Sequence, residues 1–435
     1  MKKLLTVKVS YMSDDGFGVA TYKSRVIKIS NAIPGEVVQV IPPKRRKTPT
    51  TPIKIIEESE WRVQPLCPYF NICGGCRWQH IKYEKQLTFK EQYIRKLFSP
   101  IIEKHGGSIA KIIKAEKIWR YRNKMEFSFG KGALNLALGL KVFGRFDKVV
   151  DLESCFLQKK EADEILRNIK EFFRSKKLTP YDNIKHEGFL RFLVIRTSYK
   201  REQIMANIIT TSSGVLPMNE LSKLIKADSL IWSITDSVAD VAMGEIKEII
   251  GGEFIEEELL GKVFRIYPYT FFQTNPIQAE KLFLKIRKEV NGGEIALDLY
   301  SGVGVIGIIM AEKFNSIIGI EVVPESIRAA YENAKINDIN NIEFVEGKVE
   351  DFLLKFDKKA DTIFIDPPRA GMHKRAVNAV INLNPQMIVY ISCNPKSQAR
   401  DIKLMCAAGY RISEIQPIDF FPHTPHVENL VILER

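Results

Sequence analysis

Short apolar runs alternate with turn residues over the first 60 positions of the chain. Residues rich in β-branched and aromatic side chains occupy positions 6–11, 18–22, 25–29 and 36–41. The turn formers Asp14-Asp15-Gly16 and Ile33-Pro34-Gly35 lie between them. Short strands with regular turns predict a small antiparallel β-barrel, which we place at residues 1–58.

Helical and strand patterns are mixed in residues 59–258, which we treat as a central α+β domain. Apolar residues recur at helical spacing over positions 83–104, which predicts an amphipathic helix. Phe127 and Phe129 alternate with smaller residues, as in a strand with one buried face, so we expect them in a core.

Strands and helices alternate in the C-terminal part, a domain that we place at residues 259–435. The strand candidates are residues 295–299, 317–321, 342–346, 362–366 and 387–392. Helices are predicted at 324–337, which begins with a proline, and at 396–408, which Gly409 follows. This alternation predicts a doubly wound, Rossmann-like α/β sheet.

The distribution of charge along the chain bears on the kind of binding partner. The 435 residues contain 65 Lys and Arg against 52 Asp and Glu, but residues 1–130 alone contain 25 against 11. The positive excess therefore belongs to the N-terminal third, and it fits either a polyanionic partner such as a nucleic acid or a solvated Lys-rich surface. Candidate contacts on a connection of the barrel are Lys44, Arg45, Arg46 and Lys47.

The lengths of the apolar runs and the spacing of the cysteines indicate in which cellular compartment the protein works. No run of apolar residues is long enough for a transmembrane helix, and we expect no membrane partner. Six unevenly spaced cysteines in so long a chain favour metal or thiol chemistry over a disulfide scaffold. We expect a cytoplasmic monomer.

A glycine-rich loop follows the first strand of the predicted sheet. Gly302, Gly304 and Gly307 form a G-x-G-x-x-G pattern that leads into a helix, and Glu321 stands 19 residues after Gly302. A carboxylate at that place would accept hydrogen bonds from ribose hydroxyls. The pattern fits either a dinucleotide or S-adenosylmethionine.

Two acidic residues favour S-adenosylmethionine. Asp298 lies in the strand just before the glycines, where it can face the amino end of a methionine moiety but would repel a pyrophosphate. Asp366, in Asp366-Pro367-Pro368-Arg369, ends a later strand at the edge where ligands bind in such sheets. A dinucleotide-dependent dehydrogenase gives no reason for the second motif.

The cysteines suggest two different kinds of chemistry. Cys393, in Ser392-Cys393-Asn394-Pro395, follows a buried strand at a turn, where a thiol can act as a nucleophile once it is activated. Cys406 lies on the apolar side of a helix and is expected to be a core residue.

The remaining cysteines predict a metal centre. Three of them lie within ten residues, and a fourth is left once Cys393 and Cys406 are set aside: Cys67, Cys73, Cys76 and Cys155. Four thiolates bind an iron–sulfur cluster or a structural zinc ion. The five-residue gap after Cys67 is wider than in common zinc knuckles and favours the cluster.

The cysteine triplet, the glycine loop and the two motifs around Asp366 and Cys393 occur in one order. Together they resemble the RNA uracil-5-methyltransferase family, in the variety with an N-terminal TRAM domain and a [4Fe–4S] cluster. The resemblance covers essentially the whole chain. It implies methylation of uridine C5 in structured RNA, either 23S ribosomal RNA or tRNA, to give 5-methyluridine.

The resemblance also implies residue roles. Cys393 would be the nucleophile that adds to uracil C6, and Glu428 would be the general base. Asp366 would be a third catalytic residue, which hydrogen-bonds the uracil edge as well as lying near the cofactor. Arg122 and Lys124 would contact RNA, and the helix at 83–104 would dock on the catalytic domain. The cofactor residues would include Gln273, Tyr300, Glu321 and Asp366, and the cluster ligands would be Cys67, Cys73, Cys76 and Cys155.

Two other functions remain open at this point. One is an iron–sulfur oxidoreductase that binds a dinucleotide at the glycine loop. The other is a non-catalytic RNA-binding protein, which the presence of Cys393, Asp366 and Glu428 together speaks against.

Overall fold

The fold is taken from a computed structural model, which describes residues 4–43, 48–132 and 134–435. Its helices are α1 Tyr83–His105, α2 Lys160–Ser175, α3 Met218–Leu224, α4 Pro276–Glu289, α5 Val305–Met310, α6 Pro324–Ile336, α7 Val349–Leu353, α8 Lys374–Leu383 and α9 Pro395–Ala407. In the part of the chain so described, no helix is long and apolar enough to cross a membrane.

The N-terminal β region consists of two antiparallel three-stranded sheets around one apolar core. Its strands are β1 Leu5–Lys8, β2 Tyr11–Met12, β3 Gly18–Tyr22, β4 Arg25–Ile29, β5 Val37–Val40 and β6 Pro52–Glu57. The sheet orders are β1-β5-β6 and β2-β3-β4, and a bridge between Ile29 and Thr50 links them. Both sheets contribute to the core because apolar residues alternate along their strands.

The prediction of one strand over residues 6–11 is wrong. The Val9 N–H donates to Glu36 O, next to β5, whereas the Ser10 N–H donates to Val19 O in β3. The chain therefore changes partners between these two residues, and the strand divides into β1 and β2. Strand β6 was not predicted.

The middle part of the chain forms a six-stranded sheet in the order β12-β11-β10-β9-β7-β8. Its strands are β7 Lys124–Gly130, β8 Ala137–Gly139, β9 Leu190–Thr197, β10 Ile204–Thr210, β11 Ser229–Ile234 and β12 Glu245–Gly251. Phe127 and Phe129 are buried in its core together with side chains of α2 and α3, which confirms the prediction for both residues.

The C-terminal region, residues 259–435, contains a seven-stranded sheet in the order β17-β16-β15-β18-β19-β21-β20. A hairpin of β13 Ile255–Leu259 and β14 Lys262–Ile266 precedes it and packs on α4, α5 and α6. The sheet strands are β15 Gly293–Leu299, β16 Phe314–Glu321, β17 Ile342–Glu346, β18 Thr362–Ile365, β19 Met387–Ser392, β20 Arg411–Ile418 and β21 Glu428–Glu434.

This sheet confirms the predicted α/β arrangement. Successive residues of one strand enter two different cores: Phe364 packs on one face, and Ile363 and Ile365 pack on the other. Helices cover both faces, and α1, although remote in sequence, contributes Ile94 and Phe98 to one of these cores. The five predicted strands are parallel, whereas β21 runs antiparallel to β19 and β20.

Candidate active site

The carboxyl ends of the parallel strands bring the predicted catalytic residues to one edge of the sheet. Asp366 directly follows β18, and Cys393 directly follows β19. Glu428 reaches the same edge from the other direction, because β21 is antiparallel and begins there. Ser392 pairs with Asn429 in the register of β19 and β21, so the next position along places Cys393 opposite Glu428.

Cys393 is half-buried at the turn into α9. Burial and the charge of Glu428 raise the pKa of Cys393 to about 11, while the Arg369 guanidinium opposes the rise. The side chain of Asn394 caps α9 by accepting a hydrogen bond from the Lys396 N–H at 3.3 Å. The thiol therefore has a fixed place and one cation that favours the reactive thiolate.

Two carboxyl groups next to Cys393 have raised proton affinity. Glu428 is only 4% exposed, and burial and the charge of Asp366 raise its pKa well above the usual range. Burial also raises the pKa of Asp366, whose Oδ2 accepts a hydrogen bond from Gln273 Nε2 at 3.3 Å. A carboxylate with a raised pKa is a stronger base, which suits proton removal near neutral pH.

Arg369 is a cation beside these groups for which the sequence motif predicted no role. It lies three residues after Asp366 and affects both Cys393 and Glu428 electrostatically. Its backbone carbonyl accepts hydrogen bonds from Asn394 Nδ2 at 2.7 Å and Ser397 Oγ at 3.3 Å. The sequence feature that could have indicated Arg369 is a cationic residue three positions after Asp366, at the strand edge that also carries the Cys393 thiol.

The glycine loop joins β15 to α5 as predicted for a nucleotide-like cofactor. Gly302 and Gly304 adopt φ of 54° and 81°, and the preceding Tyr300 has φ of 63°. A Cβ at Gly302 would meet open space, so the tight turn leaves room beside its backbone. Glu321 Oε2 accepts from the Gly302 N–H at 3.0 Å, and Oε1 accepts from two further N–H groups after β16.

Asp298 is completely buried beneath this loop. Its Oδ2 accepts from the Gly307 N–H at 3.0 Å, and its Oδ1 has no hydrogen-bond partner among the described residues. Burial raises the pKa of Asp298 to about 7, and the charges of Asp366 and Glu321 add to this effect. The edge therefore offers carboxylate acceptors, a donor-rich turn and a glycine opening, a set that fits the amino group and ribose of S-adenosylmethionine.

Arg122 and Lys124, which are predicted to contact RNA, lie beside the segment that contains the predicted cofactor residue Gln273. Asn123, between Arg122 and Lys124, donates from Nδ2 to Gln273 O at 3.0 Å and from its N–H to Thr274 O at 3.0 Å. Lys124 forms an ion pair of 2.7 Å with Glu126, and both Arg122 and Lys124 are half-buried. The other four RNA candidates, Lys44, Arg45, Arg46 and Lys47, lie outside the described residues.

The four remaining cysteines with predicted metal roles line one apolar cavity. It is bordered by Cys67, Cys73, Cys76, Cys155, Phe70, Leu140, Leu152 and Leu157. All four thiols are free, and burial raises the pKa of each, that of Cys155 to about 12. Over the ranges that the structure describes, no group of three or more His, Cys, Asp or Glu side chains could hold a metal ion as placed.

Comparisons with known proteins agree with this geometry. Residues 245–435 match the profile of the tRNA (uracil-5-)-methyltransferase family. The tRNA (uracil(54)-C(5))-methyltransferase of Pyrococcus abyssi is 35% identical over 96% of this chain and 97% of its own length. An uncharacterized RNA methyltransferase of Caldanaerobacter subterraneus is 34% identical over 100% of this chain and 99% of its own.

A solved structure resembles the whole chain. The crystal structure of Pyrococcus abyssi tRNA (uracil-54, C5)-methyltransferase in complex with S-adenosyl-L-homocysteine has a TM-score of 0.83 and 33% sequence identity. The similarity covers 99% of this chain and 100% of that one.

Proposed function

The chain belongs to the RNA uracil-C5-methyltransferase family, and from this premise we propose that it works through a covalent adduct between Cys393 and uracil C6. The overall reaction is S-adenosylmethionine-dependent methylation of uridine C5 in RNA. The observation that carries the proposed mechanism is the register that sets Cys393 opposite Glu428. Family membership favours this enzyme over the oxidoreductase and the non-catalytic RNA-binding protein.

Cys393 is the proposed nucleophile. Its thiolate forms a bond to C6, and the C5=C6 π electrons move onto the ring as an enolate, which makes C5 electron-rich. Arg369 favours the thiolate that starts this step. When bound, S-adenosylmethionine would supply the methyl group that C5 accepts, with its S–CH3 bond breaking and S-adenosylhomocysteine leaving. Asp366 and Gln273, which bond to each other, lie where they can orient the uracil edge and the methyl donor.

Glu428 is the proposed general base. It takes the proton from the methylated C5, the electrons of that C–H bond restore the C5=C6 double bond, and the Cys393 sulfur leaves C6 as a thiolate. The raised pKa of Glu428 makes it a competent acceptor for this proton. General-base catalysis of this kind typically contributes about 10²–10⁴-fold in rate.

The experiment that tests this mechanism removes only the base. Glu428→Gln keeps the shape of the side chain but cannot accept the C5 proton, so a methylated, covalent RNA–protein adduct should accumulate on a denaturing gel while turnover falls about 10²–10⁴-fold. Glu434→Gln, on the exposed end of the same strand, should behave as the wild type. A Glu428→Gln protein that turns over normally or forms no adduct would refute the assignment.

We assign structured RNA as the substrate, with tRNA as the first RNA to test. The Pyrococcus abyssi relative is named for uracil 54 of tRNA. The basic N-terminal third and the Arg122–Lys124 segment beside Gln273 support binding of a polyanion at this end of the site. Mass spectrometry of nuclease digests of tRNA and 23S ribosomal RNA, each incubated with enzyme and labelled cofactor, identifies the methylated uridine.

The cysteine cavity is assigned to a [4Fe–4S] cluster bound by Cys67, Cys73, Cys76 and Cys155. Four thiols surround one apolar cavity, and four thiolates are the ligand set of such clusters. A cluster spans more space than a zinc ion, so it does not require the thiols to be as close as a single ion does. Its function in the proposal is to link distant chain segments. Free thiols at all six cysteines are consistent with the reducing environment of the cytoplasm.

A further inference from the structure

The segment between β20 and β21, residues 419–427, leads directly into Glu428. We name it the junction loop. Within the described residues it is contacted by α1, by the cysteine segment, by the segment before β7 and by the start of α4. Each contact involves a hydrogen bond to the loop backbone or a buried ion pair, which fixes conformation more narrowly than apolar packing does.

Helix α1 makes the strongest of these contacts. Lys90 and Asp419 are fully buried, and their Nζ and Oδ1 atoms lie 2.5 Å apart. Lys90 Nζ also donates to Phe421 O at 3.0 Å. One turn earlier, Gln86 Oε1 accepts from the His423 N–H at 2.8 Å. Two side chains of one helix thus determine the course of the loop backbone.

His423 connects the loop to the cysteine segment. Its carbonyl accepts from the N–H groups of both Arg77 and Trp78 at 3.0 Å, directly after the proposed ligand Cys76. Its ring stacks on Trp119 with centroids 3.8 Å apart and planes 25° apart. His423 has φ of 65°, a conformation that is costly for a residue with a side chain and that these contacts maintain.

The catalytic region contacts the loop from the opposite side. Asn275 Nδ2 donates to Phe420 O at 3.0 Å, and Gln278 Nε2 donates to Asp419 O at 3.1 Å. Both residues belong to the segment that follows Gln273. The loop is therefore the place where elements far apart in the chain meet, a few residues before the proposed base.

The buried ion pair between Lys90 and Asp419 indicates the function of these contacts to the junction loop. Replacing such a pair with apolar residues of similar volume is often neutral or stabilising, so the pair adds little net stability. What apolar residues cannot reproduce is the directed bond from Lys90 to the carbonyl of Phe421. We propose that Lys90, Gln86 and His423 are positioning residues that place Glu428 for proton removal. This inference rests on the proposed role of Glu428.

The first test replaces the ion pair by apolar side chains. Lys90→Met combined with Asp419→Leu leaves no unpaired charge buried, but it frees the Phe421 carbonyl and the Tyr83 hydroxyl, so we expect a folded protein with Tm lowered by a few degrees. A displacement of the base by about 1 Å should lower kcat by roughly 10²-fold, with KM for S-adenosylmethionine unchanged. Because Cys393 depends on β19 and α9 instead, addition to uracil should persist, and the covalent RNA adduct should accumulate as in Glu428→Gln.

A second variant keeps the test decisive if the double variant does not fold. Gln86→Leu removes the bonds to His423, and those to the Trp78 and Ile81 carbonyls, without burying a charge. It should also accumulate adduct with reduced kcat. Gln92→Leu, on the exposed side of the same helix, is the matched control and should retain wild-type kinetics.

The outcomes separate the two proposals. If Glu428→Gln traps adduct but the loop variants keep their kcat or lose it without adduct, positioning by the loop is refuted and the mechanism stands. If Glu428→Gln traps none, the base assignment fails, and the inference about the loop fails with it.

Discussion

Two regions of this protein hold cysteine thiols with a proposed chemical role, and only one of them has a cation that lowers the pKa of its thiol. At the sheet edge, Cys393 lies near Arg369, which lowers the pKa of the thiol against the effect of burial. In the cysteine cavity, the charges of Cys73 and Asp163 add to burial and raise the pKa of Cys155 to about 12. Burial alone raises the pKa of a thiol in both places.

In the proposed mechanism and the proposed metal centre, this difference lets one residue type serve two chemistries. A single thiol beside a cation can ionise and attack a carbon atom. Several thiols beside one another become thiolates together only when an external positive charge compensates them, which is what a metal centre provides. The neighbours, and not the cysteine itself, distinguish a nucleophile from a ligand.

Removing Cys393 should have the largest effect. Cys393→Ala deletes the group that bonds to C6, so we expect turnover to fall by at least about 10⁴-fold and no covalent adduct to form. Radiolabelled methyl transfer to RNA and denaturing gels measure both. Cys406→Ala, which changes a thiol in the apolar core, should keep its activity. If Cys393→Ala turns over RNA near the wild-type rate, Cys393 is not the nucleophile.

Removing a thiol from the cavity should affect the metal and the fold more than the chemistry. Cys76→Ser, purified without oxygen, should lose its iron and its visible absorbance. Its free energy of unfolding should fall by roughly 3 kcal/mol or more. This is about the stabilisation by a ligand whose free concentration is 100 times its Kd. Iron analysis and denaturant titration test this, with Cys406→Ala as the control. An iron-free wild-type protein would contradict the cluster.

Removing the cation should make Cys393 more like the cavity thiols. Arg369→Gln leaves burial and the Glu428 charge unopposed, so the pKa of Cys393 should rise further. Below that pKa, each unit of rise lowers the thiolate fraction tenfold, and alkylation of Cys393 at pH 8 should slow about tenfold. Mass spectrometry of the labelled Cys393 peptide gives the rate. Equal rates in Arg369→Gln and in Arg375→Gln, an exposed control on α8, would mean that Arg369 does not activate the thiol.

The smallest expected effect concerns a buried carboxyl group without a cation. The folded pKa of Asp298 is raised to about 7, above its value of 3.8 in the unfolded chain, so its charge costs stability increasingly as pH rises from about 4 to 7. Asp298→Asn should therefore raise Tm by a few degrees more at pH 8 than at pH 5. Thermal unfolding at the two pH values, without cofactor, measures the difference. An equal change at both would show that Asp298 titrates normally.

Local patterns predicted the elements of the sheet closely. Strands β17 and β19 have the predicted bounds, α6 ends one residue before its predicted end, and α9 begins and ends one residue earlier than predicted. Prediction failed where a strand changes partner, as at Val9 and Ser10, because the alternation of residues does not say which strand lies alongside. Strand β20 was also not predicted, and only the resemblance to a family indicated a catalytic role for Glu428.

By itself, the sequence determined the order of strands and helices, the glycine turn and the residues with reactive side chains, because these depend on neighbours along the chain. The tertiary structure alone decided that Glu428 lies opposite Cys393, that Arg369 faces the thiol, and that Lys90 pairs with Asp419. Burial and charge act through space, and 329 positions separate the two members of that ion pair. No local sequence pattern indicates that two residues so far apart along the chain are in contact.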